Sequence, residues 1–246
     1  MCKQVRIFIV LIYILFSPQI FSQTEKSNFS FYLSADFLSS YVWRGAVLQG
    51  RPVIQPFGSF NYKNIELSVL GSQNLVTSGS SFVTYLAYHI KTPIGTFSPM
   101  FVDFYPSLLS STDPDNHFFN YKTNGFGAHV LETNITYEGT KKFPLRIFAS
   151  VDVYNDPEKA AYLEVGYRFP ISEYNCILYV GTLLSEKSAW YASDPSKPIR
   201  RGVNNIGFTA TKDLILSESF KIPFRGTFTV NPAEKRAIFV FGFRVE

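Results

Sequence analysis

The sequence predicts an all-β fold: a closed antiparallel transmembrane β-barrel of about 12 strands in up-and-down order. Three observations lead there. Segments of nine residues or more alternate apolar and polar side chains, the period-two pattern of a strand whose two faces meet unlike surroundings. Those segments are loaded with aromatics, 25 Phe and 15 Tyr in 246 residues, while mean hydropathy stays near neutral at +0.04. Past residue 22 no apolar run approaches the about 20 residues that a spanning helix needs. Closure follows because strands this long would otherwise expose two unpaired edges. A secreted β-sandwich also alternates, but it buries its Phe-rich face and has no need of such long, regular hairpins.

The N-terminus reads as an export leader. Lys3 and Arg6 precede the apolar run Ile7–Phe16, which Ser17, Pro18 and Gln19 close. A basic start and about 7–15 apolar residues make a signal peptide and are too short for an anchor. Cleavage after Ser22 leaves 1–22 as the leader and 23–246 as the barrel domain. Cys2 goes with the leader; Cys176, a small strand residue, is then the one cysteine left, so no internal disulfide braces the fold. Without Lys3 and Arg6 the 23 basic residues fall to 21, against 19 acidic. That balance is too even for a nucleic-acid surface.

The segment Phe29–Gly45 sets the pattern. Phe29, Phe31, Leu33, Ala35, Phe37, Tyr41 and Trp43 share one register; Tyr32, Ser34, Asp36, Ser40 and Arg44 share the other. Read as one strand, Phe31 to Tyr41 covers ten steps of about 3.3 Å, which at a tilt near 40° matches an apolar band about 25 Å tall. The terminal aromatics then fall at the two membrane interfaces. Arg44–Pro52 connects to Val53–Tyr62, and Lys63-Asn64 turns the chain into Ile65–Gln73. After the polar Asn74–Ser81 come Phe82–Lys91, a turn at Thr92–Gly95, and Phe97–Tyr105. A long insertion, 106–125, precedes Ala128–Tyr137. Leu145–Tyr154, Ala161–Phe169 and Cys176–Leu184 follow. A second insertion, 185–202, leads to Val203–Thr211, Ile222–Val230 and Ala237–Val245. Short turns alternate with longer loops, the outer-membrane arrangement, with both termini in the periplasm; the Lys212–Lys221 connection is longer than its class predicts.

With the apolar register facing lipid, the other lines the lumen: Asp36, Arg44, Glu66, Lys91, Glu132, Arg146, Asp152, Glu164, Arg168, Arg225 and Arg244. Segregation is expected, since a charge facing mid-bilayer lipid costs about 2–4 kcal/mol. Strand direction gathers Lys91, Arg146, Arg168, Arg225 and Arg244 near the periplasmic mouth, together with Glu66. Two readings are open: a basic zone that favours anions, or ion pairs bracing a closed lumen. The two long loops are candidates to constrict it.

Chemistry is not signalled. His89, His117 and His129 have no metal-ligand spacing, and HExxH, GxSxG, GxGxxG and CxxC are missing. A twelve-stranded outer-membrane phospholipase would need a His-x-Ser-Asn-Gly run, which none of the histidines supplies. No enzyme activity, cofactor or metal is expected.

The run Ser39-Ser40-Tyr41-Val42-Trp43-Arg44-Gly45, followed by Pro52-Val53-Ile54-Gln55-Pro56, resembles the N-terminal signature of the TorF-type porins, with Tyr41, Trp43, Arg44 and Gly45 as its core. The match covers about thirty residues. It implies a Gram-negative outer-membrane barrel acting as a diffusion pore, without naming a solute. The chain ends on Val245-Glu246, where many such barrels end on an aromatic. Two functions are therefore expected in order. One is a pore for small hydrophilic solutes that favours anions. The other is a non-conducting barrel whose loops 106–125 and 185–202, with the Trp190-Tyr191 pair, bind or adhere. Membrane lipid is the expected partner in either case.

Overall fold

The computed structural model describes residues 28–77, 79–105, 117–122, 127–217 and 220–246. The leader expected at 1–22 and parts of the first insertion, 106–116 and 123–125, lie outside them.

The wall is a closed antiparallel sheet. It comprises β1 (Phe29–Leu38), β4 (Val53–Tyr62), β5 (Ile65–Asn74), β6 (Ser80–Tyr88), β7 (Ile90–Thr92), β8 (Gly95–Tyr105), β9 (Val130–Gly139), β10 (Leu145–Tyr154), β11 (Ala161–Ile171), β12 (Tyr174–Ser188), β13 (Ile199–Ser217), β14 (Phe220–Asn231) and β15 (Arg236–Val245). β6 and β7 are one stave interrupted at His89, so the 13-stranded sheet has twelve staves. Neighbours in sequence are neighbours in space, and two pairings close the ring. β1 joins β15 from Ala35↔Val245 to Leu38↔Gly242, and β6 joins β8 from Phe82↔Tyr105 to Ala87↔Met100.

The faces divide as the alternation requires. Phe31 and Phe239 are 64% and 63% exposed, and Phe29, Leu33, Phe60, Leu67, Ile147, Val153, Val165 and Phe241 stand outward with them. A closed barrel with an apolar belt of this extent is compatible with a barrel of the outer-membrane type. The inner face holds Gln55, Ser59, Ser68, Ser98, Glu132, Asn134, Ser150, Asp152 and Asn205, all buried.

Three expectations are corrected. The opening strand does not run to Gly45. β1 stops at Leu38, where Ser39 is clasped to β15 through its amide on the Phe241 carbonyl at 2.9 Å and its hydroxyl on the Phe241 amide at 3.1 Å. The chain then turns off the wall, and Tyr41–Trp43 (β2) pairs with Ala46–Gln49 (β3) as a separate two-stranded sheet. Tyr41 and Trp43 therefore face the interior and not a lipid interface. Second, the 185–202 insertion is wall at both ends: β12 runs on to Ser188 and β13 begins at Ile199, leaving a loop of 189–198. Third, the long Lys212–Lys221 connection is strand, because β13 continues through Leu214 and Ile215, paired with Ile222 and Lys221 of β14.

Candidate functional site

The site is built around the tip of the β2–β3 hairpin. Arg44 and Gly45 have φ of 50° and 86°, the two positive values of a type I′ turn, whose twist suits a tight hairpin. Gly45 is required twice over: its φ favours glycine, and a Cβ there would collide with the Asn204 carbonyl on β13. The tip is thus driven hard against the wall. Two buried asparagines receive its carbonyls, Asn204 Nδ2 donating to Arg44 O and Asn231 Nδ2 to Gly45 O, each at 3.0 Å.

From that anchored turn the Arg44 side chain reaches the far wall. Its Nη1 and Nη2 donate to Glu132 Oε2 and Oε1 on β9 at 2.6 and 2.9 Å, a fork-on-fork geometry that only a guanidinium provides. Nη1 also donates to Ser150 Oγ at 3.1 Å and to the Tyr191 hydroxyl. The Arg44 Cζ lies 4.2 Å from the Trp43 ring centre and 4.6 Å from that of Phe148, with Tyr162 and Tyr191 a little farther out. Glu132 is wholly buried, and its Oε1 also accepts from Asn134 Nδ2 at 2.9 Å. Asp152, the register partner of Glu132, is buried beside it.

The 189–198 loop closes over the hairpin. Tyr191 and Ala192 pack with Tyr162, Leu183 and Ile199, and Trp43, Phe148 and Trp190 lie against that cluster. Ser193 Oγ accepts from the Val47 amide at 2.8 Å and donates to Glu234 Oε2 at 2.6 Å. Burial pushes the Tyr191 hydroxyl well above its ordinary value, with the Arg44 charge opposing, so it remains a neutral donor and acceptor. The first insertion contributes 117–122. There Tyr121 stacks on His129 at 3.9 Å and donates to Asp103 Oδ2 at 2.8 Å, while His129 Nδ1 meets Asp103 Oδ1 at 2.7 Å.

Beneath the tip a cavity of about 240 Å³ is lined by Tyr179, Asn205, Thr209, Thr227, Thr229 and Arg225, among others. Tyr179 and Tyr162 lie flat where Gly207 and Gly181 leave no Cβ in their way. Toward the turn end the predicted luminal charges come together in pairs. Asp36 takes Arg244 at 2.7 Å and Arg225 at 3.3 Å. Arg146 meets Glu164 at 2.6 Å and Glu138 at 3.2 Å, and Arg168 meets Glu138. Glu66 lies 3.1 Å from His89. Lys91 is exposed and has no ion pair among the described residues. The bracing alternative therefore describes Arg146, Arg168, Arg225 and Arg244 better than a free basic zone.

Sequence reasoning missed or misplaced four contributors. Glu138 continues the inward register of Glu132 and Asn134, which a longer β9 would have revealed. Asn204 and Asn231 carry no local signal, and Tyr191, expected with Trp190 as a pair displayed for binding, is instead buried against Arg44. His117 is exposed, and among the described residues no group of three His, Cys, Asp or Glu is arranged to hold a metal ion.

Compared with protein-family models, curated proteins and solved structures, the chain matches none.

Proposed function

We propose that this barrel sits in the outer membrane of a Gram-negative bacterium. There it passes small hydrophilic solutes by passive diffusion once the Tyr41–Gln49 hairpin leaves the lumen. The arrangement described above is its shut state.

One observation carries the reading: the occluding hairpin is its own two-stranded sheet and shares no backbone ladder with the wall. Its release breaks side-chain contacts and leaves every stave pairing intact. The main tie, Arg44–Glu132, suits that role. A buried ion pair is a weak source of net stability, and its best-attested use is to specify one arrangement over another. Twelve staves give a bore between the filled eight-stranded and the open sixteen-stranded barrels, wide enough for a passage once cleared. The Ser39–Gly45 run that resembles TorF-type porins supplies the chain's departure from the wall and the hairpin tip.

Selectivity is weak in this reading. The inner face carries Arg44, Lys91, Arg146, Arg168, Arg225 and Arg244 against Asp36, Glu66, Glu132, Glu138, Asp152 and Glu164, so no net field favours anions. A loop-display role is less well supported, because Tyr191 is turned inward and Trp190 packs on the same cluster. Planar-bilayer recordings test the proposal: rare openings from the native protein and frequent ones from Arg44→Ala are expected. Silent Arg44→Ala barrels would return the choice to a non-conducting barrel.

A further inference from the structure

A second site lies on the loop-end rim, away from the lumen. The β13–β14 ladder stops at Ile206↔Val230, so Ile199–Asn205 of β13 has a ladder neighbour only in β12. The gap between this bare upper edge and the β14–β15 turn is a groove of about 790 Å³. Lys197, Arg200, Arg201 and Arg236 line it, with Asp194 and Glu234.

The two carboxylates are already engaged. Asp194 holds Lys197 at 2.9 Å and the Ser196 hydroxyl at 2.6 Å, and Glu234 holds Ser193 with Arg236 at 3.8 Å. Arg200 and Arg201 are exposed and have no carboxylate partner among the described residues. Between them and the ladder Gly202 leaves the backbone bare, with nothing within 4 Å of where a Cβ would stand. Two adjacent guanidiniums beside uncovered backbone fit an oxyanion that accepts several donors at once, and phosphate is that group.

Height selects the source. Leu183, wholly buried, is the register partner of Gly202, so Arg201 and Val203 share the opposite, outward face. Val203 is 40% exposed in the lipid-facing belt. Arg201 stands one outward position above it, at the depth where headgroups meet acyl chains.

We propose that this groove binds the phosphate of a lipid headgroup in the leaflet at the loop end. The lipid assignment rests on the membrane reading above; the phosphate chemistry does not. The test uses the purified full-length mature barrel in phosphatidylcholine nanodiscs doped with phosphatidic acid, with native mass spectrometry counting retained lipid. Native protein should retain phosphatidic acid about tenfold or more over Arg200→Ser/Arg201→Ser, the loss of charge-assisted bonds to one phosphate. Lys63→Ser, at the opposite end, should retain it fully. Competition by inorganic phosphate would identify the phosphate alone as the ligand, and its failure would assign the acyl chains a share. Equal retention by native and double-variant protein would overturn the proposal. A barrel that does not enter nanodiscs overturns the membrane reading instead, and inorganic phosphate titrated onto it in solution then decides the groove.

Discussion

Arg44 and Glu132, 88 positions apart in sequence, meet through two hydrogen bonds of 2.6 and 2.9 Å between an inward hairpin and the opposite wall. That contact holds a separate two-stranded hairpin against the inner face of a twelve-staved barrel whose own ladder it does not join.

Removing one partner leaves the other charge buried and alone, a penalty of about 3–5 kcal/mol that the hairpin escapes by leaving its seat. Arg44→Ala and Glu132→Gln should therefore raise quenching of tryptophan fluorescence, since both tryptophans of the chain, Trp43 on the hairpin and Trp190 in the loop that covers it, pack against one buried cluster. The far-ultraviolet dichroism of the wall should not change. Arg44→Met with Glu132→Leu removes both charges at similar volume and should reseat the hairpin. Quenching unchanged in both single variants would contradict the assignment.

Gly45→Ala should release the tip with both charges intact, because a Cβ meets the Asn204 carbonyl and φ is 86°. Gly50→Ala is the control: the nearest atom to its Cβ is Val47 Cγ1 at 3.7 Å. Quenching should rise in the first variant and stay native in the second.

The loop that covers the hairpin carries an acid-sensitive clasp. Hydrogen bonds from Ser196, then from Lys197, lower the Asp194 carboxyl from 3.8 to about 2. A depressed carboxyl contributes stability that is present above its unfolded value and is lost as pH falls through its folded one. In Trp43→Phe protein, Trp190 emission should shift between pH 3.8 and about 2. Asp194→Asn should show no such transition. The clasp is fully exposed, so thermal unfolding of the barrel should not follow it.

Asp36 pairs with two arginines at once, Arg244 and Arg225, and offsets one of their two charges. In barrels opened by Arg44→Ala, Asp36→Asn should move the reversal potential toward the anion value and Arg244→Gln toward the cation value. Identical reversal potentials in the two would exclude this part of the lumen from the conduction path.

The wall was legible because an apolar outer face and a polar inner face force strict alternation. Val53–Tyr62 and Leu145–Tyr154 were read with the ends they have. The hairpin was not, since Tyr41-Val42-Trp43 keeps the same local period inside the lumen that a strand of the wall shows. Leu214-Ile215-Leu216 failed in the opposite sense: three apolar residues in succession broke the alternation and hid the end of β13. Of the site, Glu132 and Asp152 lie on strands in the register expected for them, whereas Arg44 was expected on a wall strand and stands at a hairpin tip. Their convergence with Tyr191, Asn204 and Asn231 depends on contacts between distant segments, which local periodicity does not encode.

The most direct measurement replaces residues 41–49 with a short Gly-Ser linker and compares single-channel currents with the native barrel, using heat-modifiable gel mobility to establish that both are folded. Steady conductance is expected from the shortened barrel and a mostly shut state from the native one. A folded shortened barrel that carries no current would contradict this expectation.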